Sequence, residues 1–416
     1  MTTLRNPDVW LTARRLRAHA SILALCLWSI YLWSLATPGL RDRTGNLKGT
    51  DFLHFYVLGS LAAEHRGADL YDMTAQNAVV ARRVPEAKGL RYLPLYPPQV
   101  SLFFMPLAHL SYGWALGLWW TISSVVYGVC CFSIWRACPN LHNHGSLVLI
   151  AAVAFPGFFH LIAWGQTSAL ALGCFTLMYF QLRSGRDLMA GLALGCLIFK
   201  PQLGIAAAVI FVSLGAWKIV GGAIVSAFAQ LGVAALFYGM APLRQWVSAL
   251  AHVGSVLPWL EPRPYQTYSL RTFWSMLIGG PDLARALWLL STIAMLGITI
   301  GIWKSTPRVP LALRYPSLLM TTVLVAPHLT VYDFVILAPA FLLLADWMAG
   351  QVAKARPQSL GTLVYLVYTL PLLGPLVRWT HVQYAVIAMG ATICVIYTKS
   401  RQLAMVEDQL QTLEVR

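Results

Sequence analysis

The sequence predicts an all-α, polytopic membrane protein, and three observations predict it. Hydrophobic residues fill 58% of the 416 positions and charged residues only 11%, where soluble domains run at roughly 45–50% and 25%. Apolar runs long enough to cross a bilayer recur down the chain. Lys and Arg stand at the ends of those runs, where membrane topology requires them. Mean hydropathy is +0.64. This balance excludes a soluble enzyme, a disordered chain and a secreted disulfide scaffold. A span takes roughly 20 residues, so the chain holds at most about a dozen spans. It has room for one large external loop and no separate soluble catalytic domain. Residues 1–416 are therefore read as one integral membrane unit.

The net charge of +15 points to the bilayer and not to nucleic acid. No Lys/Arg-rich face interleaved with aromatics exists. The seven cysteines, at 26, 130, 131, 138, 174, 196 and 394, lie mostly inside apolar runs, where Cys behaves as a small hydrophobe. None has metal-ligand spacing, so neither zinc nor disulfides are expected.

Residues 1–19 carry Arg5, Arg14, Arg15 and Arg17, and the first apolar run, Ala20 to Ala36, follows. It is long for the core of a signal peptide, and Ala36-Thr37-Pro38 makes a poor cleavage site. The expectation is an uncleaved first span with the N-terminus in the cytoplasm. The longest polar stretch comes next, residues 37–97, with eight Lys/Arg and six Asp/Glu. That near balance predicts a folded external loop with helices over 51–66 and 72–83. Phe52, Phe55, Tyr56 and Gly59 recur at helical spacing, so the first of these is expected to lie along the membrane surface. Residues 98–110 are apolar but broken by Pro97, Pro98 and Pro106, and read as a re-entrant or interfacial piece.

Further spans are expected near 112–135, 146–161, 167–182, 188–199, 202–217, 219–238, 285–303, 314–326, 331–348, 360–377 and 380–398, which makes twelve with the first. Each short loop assigned inside carries Lys or Arg: Arg136; Arg183 and Arg186; Lys218; Lys304, Arg308 and Arg314; Lys354 and Arg356; Lys399 and Arg401. Both termini are then cytoplasmic. A second external loop covers 239–284, with Trp246, Pro258, Trp259, Pro262, Pro264 and Arg271. No internal repeat is visible.

Three connections on the outward side carry the candidate chemistry. A span over 188–199 rises only about 18 Å, against about 30 Å of hydrocarbon, and ends at Lys200-Pro201. The span 314–326 is similarly short and ends at Pro327-His328. The third connection is Trp164-Gly165-Gln166. Irregular backbone at such depth is tolerated only beside protein or a water-filled cavity, so the three imply a polar cavity opening outward. Lys200 is either a snorkelling lysine or an ionisable group with a task, and the break fixed by Pro201 favours the task. His328 and Asp333 read as a local pair steadying their turn, or as anion-binding groups. Taken alone, Asp51 is an N-cap. Tyr71-Asp72 likewise reads as a cap, and Tyr96-Pro97-Pro98 as a turn.

Taken in order, these residues resemble glycosyltransferase family 87, membrane enzymes of the GT-C class. Asp51-Phe52-Leu53-His54-Phe55-Tyr56, Gly59, Gly67 and Leu70-Tyr71-Asp72 are similar to the family's first-loop pattern. Tyr96-Pro97-Pro98 and Pro106-Leu107 follow, then Gly165-Gln166, Ala190-Gly191 and Lys200-Pro201. Gln266 with Ser269-Leu270-Arg271, Pro327-His328 and Tyr332-Asp333 complete the set. The resemblance implies a GT-C-like fold of about 12 transmembrane helices whose large first external loop carries surface helices. It implies a mannosyltransferase-like enzyme moving a hexose from a polyprenyl-phosphate donor to a glycolipid or glycan acceptor on the extracytoplasmic face. It also implies Asp51 as catalytic base. A sugar hydroxyl needs proton removal as it attacks. The leaving lipid phosphate is already anionic and needs no acid. Lys200, Arg271 and His328 are expected at the donor phosphate, and Tyr56, Tyr71, Gln166, Tyr332 and Asp333 at the substrates. Neither metal nor cofactor is required. The competing expectations are pentosyl transfer, ligation of a lipid-linked glycan, and a glycolipid transporter or flippase.

Overall fold

A computed structural model describes residues 11–254, 261, 263–305, 308–351, 357 and 359–414. Arg5, Pro258, Trp259, Pro262, Lys354 and Arg356 lie outside the described residues. Among the described residues the fold is all-α, with no β-strand and two isolated bridges, Arg41–Leu47 and Thr267–Thr330.

The helices are α1 (Ala13–Leu35), α2 (Phe52–Ala63), α3 (Met73–Arg83), α4 (Gln99–Phe104), α5 (Tyr112–Arg136), α6 (Gly145–Ala154) and α7 (Pro156–Trp164). Then come α8 (Ser168–Arg183), α9 (Asp187–Gly195), α10 (Ile205–Ser213), α11 (Trp217–Tyr238) and α12 (Ala241–Ala251). The last are α13 (Leu270–Leu277), α14 (Pro281–Lys304), α15 (Leu311–Val325), α16 (Ala338–Gly350), α17 (Leu360–Thr369), α18 (Gly374–Thr380) and α19 (Tyr384–Glu414).

Helix occupies every segment expected to span. Length and composition suit six of these for crossing a membrane, Ala13–Leu35, Tyr112–Arg136, Trp217–Tyr238, Pro281–Lys304, Val331–Gly350 and Leu360–Thr380. A seventh arises if the pair Pro139–Ala154 and Pro156–Trp164, bent by 43°, counts as one. The bend has a plain cause. Pro156 has no N–H to continue the preceding helix, and Phe155 before it is extended. Asp187–Phe199 and Leu311–Val325 are shorter apolar helices.

Between α1 and α5, the placement of α2 departs from expectation. α2 does not lie on a membrane surface: every residue from Phe52 to Ala62 is buried. α4, the 3-10 turn Met105–His109 and α3 all pack against it. Its sequence is apolar on all faces, and such a helix belongs inside a protein. α3 shows the one-sided burial of a surface helix, with Ala75, Gln76, Val79 and Val80 inward and Asp72 capping it by accepting from the Thr74 N–H at 2.7 Å.

Two close approaches fix this scaffold. A Cβ on Gly191 of α9 would sit 2.1 Å from the Ile219 carbonyl oxygen of α11, the small-residue contact by which membrane helices pack. Gly165, which ends α7 at φ +69°, would place a Cβ 2.7 Å from that of Phe52.

A cleft of about 910 Å³ opens between α1 and the α6, α16 and α17 helices, lined by apolar groups such as Leu16, Leu23, Val148, Phe341 and Val364. In α1 only Ala20 is buried.

Candidate active site

The polar groups converge elsewhere, where α2 meets the turn after α7, the break after α9 and the segment leading into α16. Two indoles of α5 pin the first turn: Trp119 Nε1 donates to the Gly165 carbonyl at 3.0 Å and Trp120 Nε1 to that of Ile162 at 2.7 Å. With Gly165 tight against Phe52, the next residue, Gln166, is delivered beside Asp51. The Asp51 N–H in turn donates to the Trp164 carbonyl at 2.9 Å.

Asp51 does not cap α2. Its backbone is already helical and its side chain makes no cap hydrogen bond. The carboxylate instead accepts from Gln166 Nε2 at 2.6 Å. Burial, the largest influence, pushes its pKa up to about 6, against the Gln166 hydrogen bond and the charge of Lys200, which favour the anion.

Lys200 stands between two 3-10 turns, Cys196–Phe199 and Pro201–Leu203, and is 3% exposed. It is no snorkelling lysine. Its ammonium donates to Asp333 Oδ1 at 2.8 Å, Ser168 Oγ at 2.9 Å and Gln166 Oε1 at 3.4 Å, and lies 5.0 Å from the centre of the Tyr332 ring. An ammonium has three hydrogens, and these three acceptors account for them. Burial works against its charge, yet Asp333 overrides it and holds the pKa above the usual lysine range.

Asp333 is equally engaged. Oδ1 also accepts from Ser168 Oγ at 2.6 Å, and Oδ2 accepts from the Thr330 N–H at 3.3 Å. Thr330 and Asp333 form a capping box. Asp333 and His328 therefore do not form the local pair considered for this turn.

His328 pairs with Glu261, its Nδ1 2.9 Å from Oε1. Arg271 forms an ion pair with the same carboxylate, and its Nε donates to the Pro327 carbonyl at 2.5 Å. Burial pushes the Glu261 carboxyl up, but His328 and Arg271 together bring it below its ordinary value. Ser269 caps α13 by accepting from the Thr272 N–H at 3.3 Å, which sets Arg271 in the first turn. The Thr267–Thr330 bridge and the Tyr268 N–H to the Leu329 carbonyl at 2.9 Å join this segment to the one bearing His328 and Asp333. The two clusters sense each other, since His328 favours the charged form of Asp51.

The structure thus gathers Asp51, Gln166, Lys200, Tyr332 and Asp333 in one cluster, and Arg271 with His328 in the next. It does not bring in Tyr56 or Tyr71. The Tyr56 hydroxyl donates to the Leu110 carbonyl and the Tyr71 hydroxyl to that of Tyr96, each at 2.8 Å. Gln266 lies apart from the pairings just described, in a 3-10 turn, its Oε1 buried without a partner. Ser168 and Glu261 were not anticipated. Among the described residues no three His, Cys, Asp or Glu converge as a metal-binding set.

A family model, glycosyltransferase family 87, matches residues 95–327, more than half of the chain. The matched stretch holds Gln166, Ser168, Lys200 and Arg271, while Asp51, His328 and Asp333 fall outside it. No curated protein and no solved structure matches the chain.

Proposed function

Because the chain belongs to glycosyltransferase family 87, we propose that it transfers a hexose, read as mannose, from a polyprenyl-phosphate donor to a glycolipid or glycan hydroxyl, with inversion and with Asp51 as general base. The observation that carries this reading is the Asp51 carboxylate, which is poised by burial at a pKa of about 6 and which Gln166 orients and links to Lys200. A base works best when its pKa lies near the working pH. The acceptor oxygen attacks the anomeric carbon and gives its proton to Asp51. The bond from that carbon to the phosphate oxygen breaks, and the lipid phosphate leaves with the electron pair.

Arg271 supplies positive charge and His328 a ring nitrogen where the leaving phosphate develops negative charge. Lys200 acts through its charge and its hold on Gln166, since its hydrogens are committed to three acceptors. Asp333, Ser168 and Tyr332 keep it there. Further features of the proposal are a GT-C-like fold with about twelve spans, a cytoplasmic N-terminus and an active site on the outer face. The dispersed charges of a glycolipid transporter are disfavoured by the convergence of Asp51 and Lys200 on one glutamine. The experiment is transfer of labelled hexose from a synthetic polyprenyl-phosphate donor by purified protein. Transfer that is abolished in Asp51→Asn supports the reading, and turnover of nucleotide sugars alone overturns it.

A further inference from the structure

His54 is a buried histidine that the reaction above does not use. It follows Asp51 by three positions, so the two side chains share a face of α2. It is 4% exposed, and neither of its ring nitrogens has a hydrogen-bond partner. Its ring lies 5.5 Å from that of Tyr92 and 5.6 Å from that of Tyr96. Both tyrosines are tied to the base. Tyr92 donates its hydroxyl to the carbonyl of Thr50, the residue before Asp51. The Tyr96 hydroxyl reaches Gln166 Oε1 at 3.5 Å. An imidazole between two aromatic rings therefore stands one helical turn from the carboxylate, with both its polar atoms unanswered.

Burial lowers the His54 pKa to about 4, so the ring is neutral at working pH. A neutral imidazole offers one donor and one acceptor. A phosphate oxygen could answer only the donor, and an ammonium only the acceptor. Hydroxyl groups answer both. Leaving both atoms unpaired is costly, and a phenylalanine would fill the same space without that cost. We propose that His54, flanked by Tyr92 and Tyr96, is the acceptor-binding residue, its two nitrogens holding neighbouring hydroxyls of the attacking sugar beside Asp51. This rests on the reading of Asp51 as the base.

The test uses the full-length protein, a synthetic polyprenyl-phosphate mannose as donor, and octyl mannoside, glucoside and galactoside as acceptors, with water as the reference acceptor. His54→Phe is expected to raise the acceptor KM at least about tenfold, the loss of two hydrogen bonds. Donor KM and transfer to water should stay within about twofold of wild type on the same grounds. The variant should melt no lower than wild type without substrate, because it removes two unpaired atoms. His54→Gln, which keeps a donor and an acceptor, should fall between the two. An unchanged acceptor KM in His54→Phe overturns the proposal. So does a lowered melting point with kcat reduced equally for glycoside and water, which marks a structural histidine. Wild type that transfers to water but to no glycoside rejects the sugar-hydroxyl class. Donor turnover that survives in Asp51→Asn removes the base reading instead, and is scored separately.

Discussion

Asp51 and Lys200 are joined through a single amide. Gln166 turns its Nε2 to Asp51 Oδ2 at 2.6 Å and its Oε1 to the Lys200 ammonium at 3.4 Å. A carboxylate needs a donor and an ammonium an acceptor, so the two charges fix which way the amide points. The cation thus steadies the carboxylate's partner while standing clear of the carboxylate itself.

The Asp51→Asn variant distinguishes catalysis from architecture. The carboxylate caps nothing, and Asn still offers an oxygen to Gln166. Transfer should fall by about 10²–10⁴-fold, the range of general-base catalysis. Glutamate at this position should recover little, because one methylene misaligns the base. Near-normal transfer by the Asn variant would remove Asp51 from the mechanism.

The same carboxylate sets a pH dependence. With a pKa of about 6, kcat/KM should climb between pH 5 and pH 7 along a single ionisation. The groups facing Asp51 are Gln166, Lys200, His328 and Asp333, with Tyr92 near its turn. For stability the sign is opposite. A folded pKa above the unfolded value of 3.8 stabilises the protein fully below pH 4 and loses that contribution as pH passes 6. At pH 7 Asp51→Asn should therefore melt no lower than wild type. A flat rate profile across this window would contradict the assignment.

The pair Lys200–Asp333 tests how the base is tuned. Removing one partner of a buried pair costs roughly 3–5 kcal/mol, so Lys200→Met should be strongly destabilised. Adding Asp333→Asn should restore most of the stability, because Asn can still accept from Ser168 and from the Thr330 N–H. Urea unfolding of the single and double variants checks this. Equal stability of the two would mean that the pair is not coupled.

Arg271 and His328 test the phosphate grip. Arg271→Ala should weaken turnover of the lipid-phosphate donor, and Arg271→Lys should not restore it fully, since a point charge cannot replace the guanidinium that contacts both Glu261 and Pro327. EDTA should leave the rate unchanged. Activity lost in EDTA and recovered with a divalent ion would refute the metal-free proposal.

Orientation is tested by labelling. On a background without native cysteines, Arg91→Cys should react with an impermeant thiol reagent from outside the cell, and Ser184→Cys should not. Both positions are exposed. The reverse pattern would put the site on the wrong face for a polyprenyl-phosphate donor.

Much of the cluster was legible because each member marks a place where the chain cannot continue as regular helix. Gly165 before Gln166, Pro201 after Lys200 and Pro327 before His328 all interrupt apolar runs, and polar groups at such breaks need partners. Ser168 was hidden by its small size within an apolar stretch. Glu261 was hidden because its partners, Arg271 and His328, lie 10 and 67 residues away, and no local period encodes that pairing. The burial of α2 is legible in the sequence, although the spacing of its aromatics alone suggests a surface helix. A helix with Phe52, Leu53, Phe55, Val57, Leu58 and Leu61 around its circumference has no wet face to offer a membrane surface.

The cleft beneath α1 has a practical consequence for anyone purifying this enzyme. A largely apolar gap of about 910 Å³ is not one that water fills comfortably, so acyl chains of the bilayer are the occupants expected there. The first helix is then held as much by its solvent as by its neighbours. Small, fast-exchanging detergents will compete for that space and loosen the helix while the buried ion pair deeper in the bundle stays shut. A preparation could pass every assay of the polar cluster and still have lost its native edge, so retained lipid is the quantity to monitor during extraction.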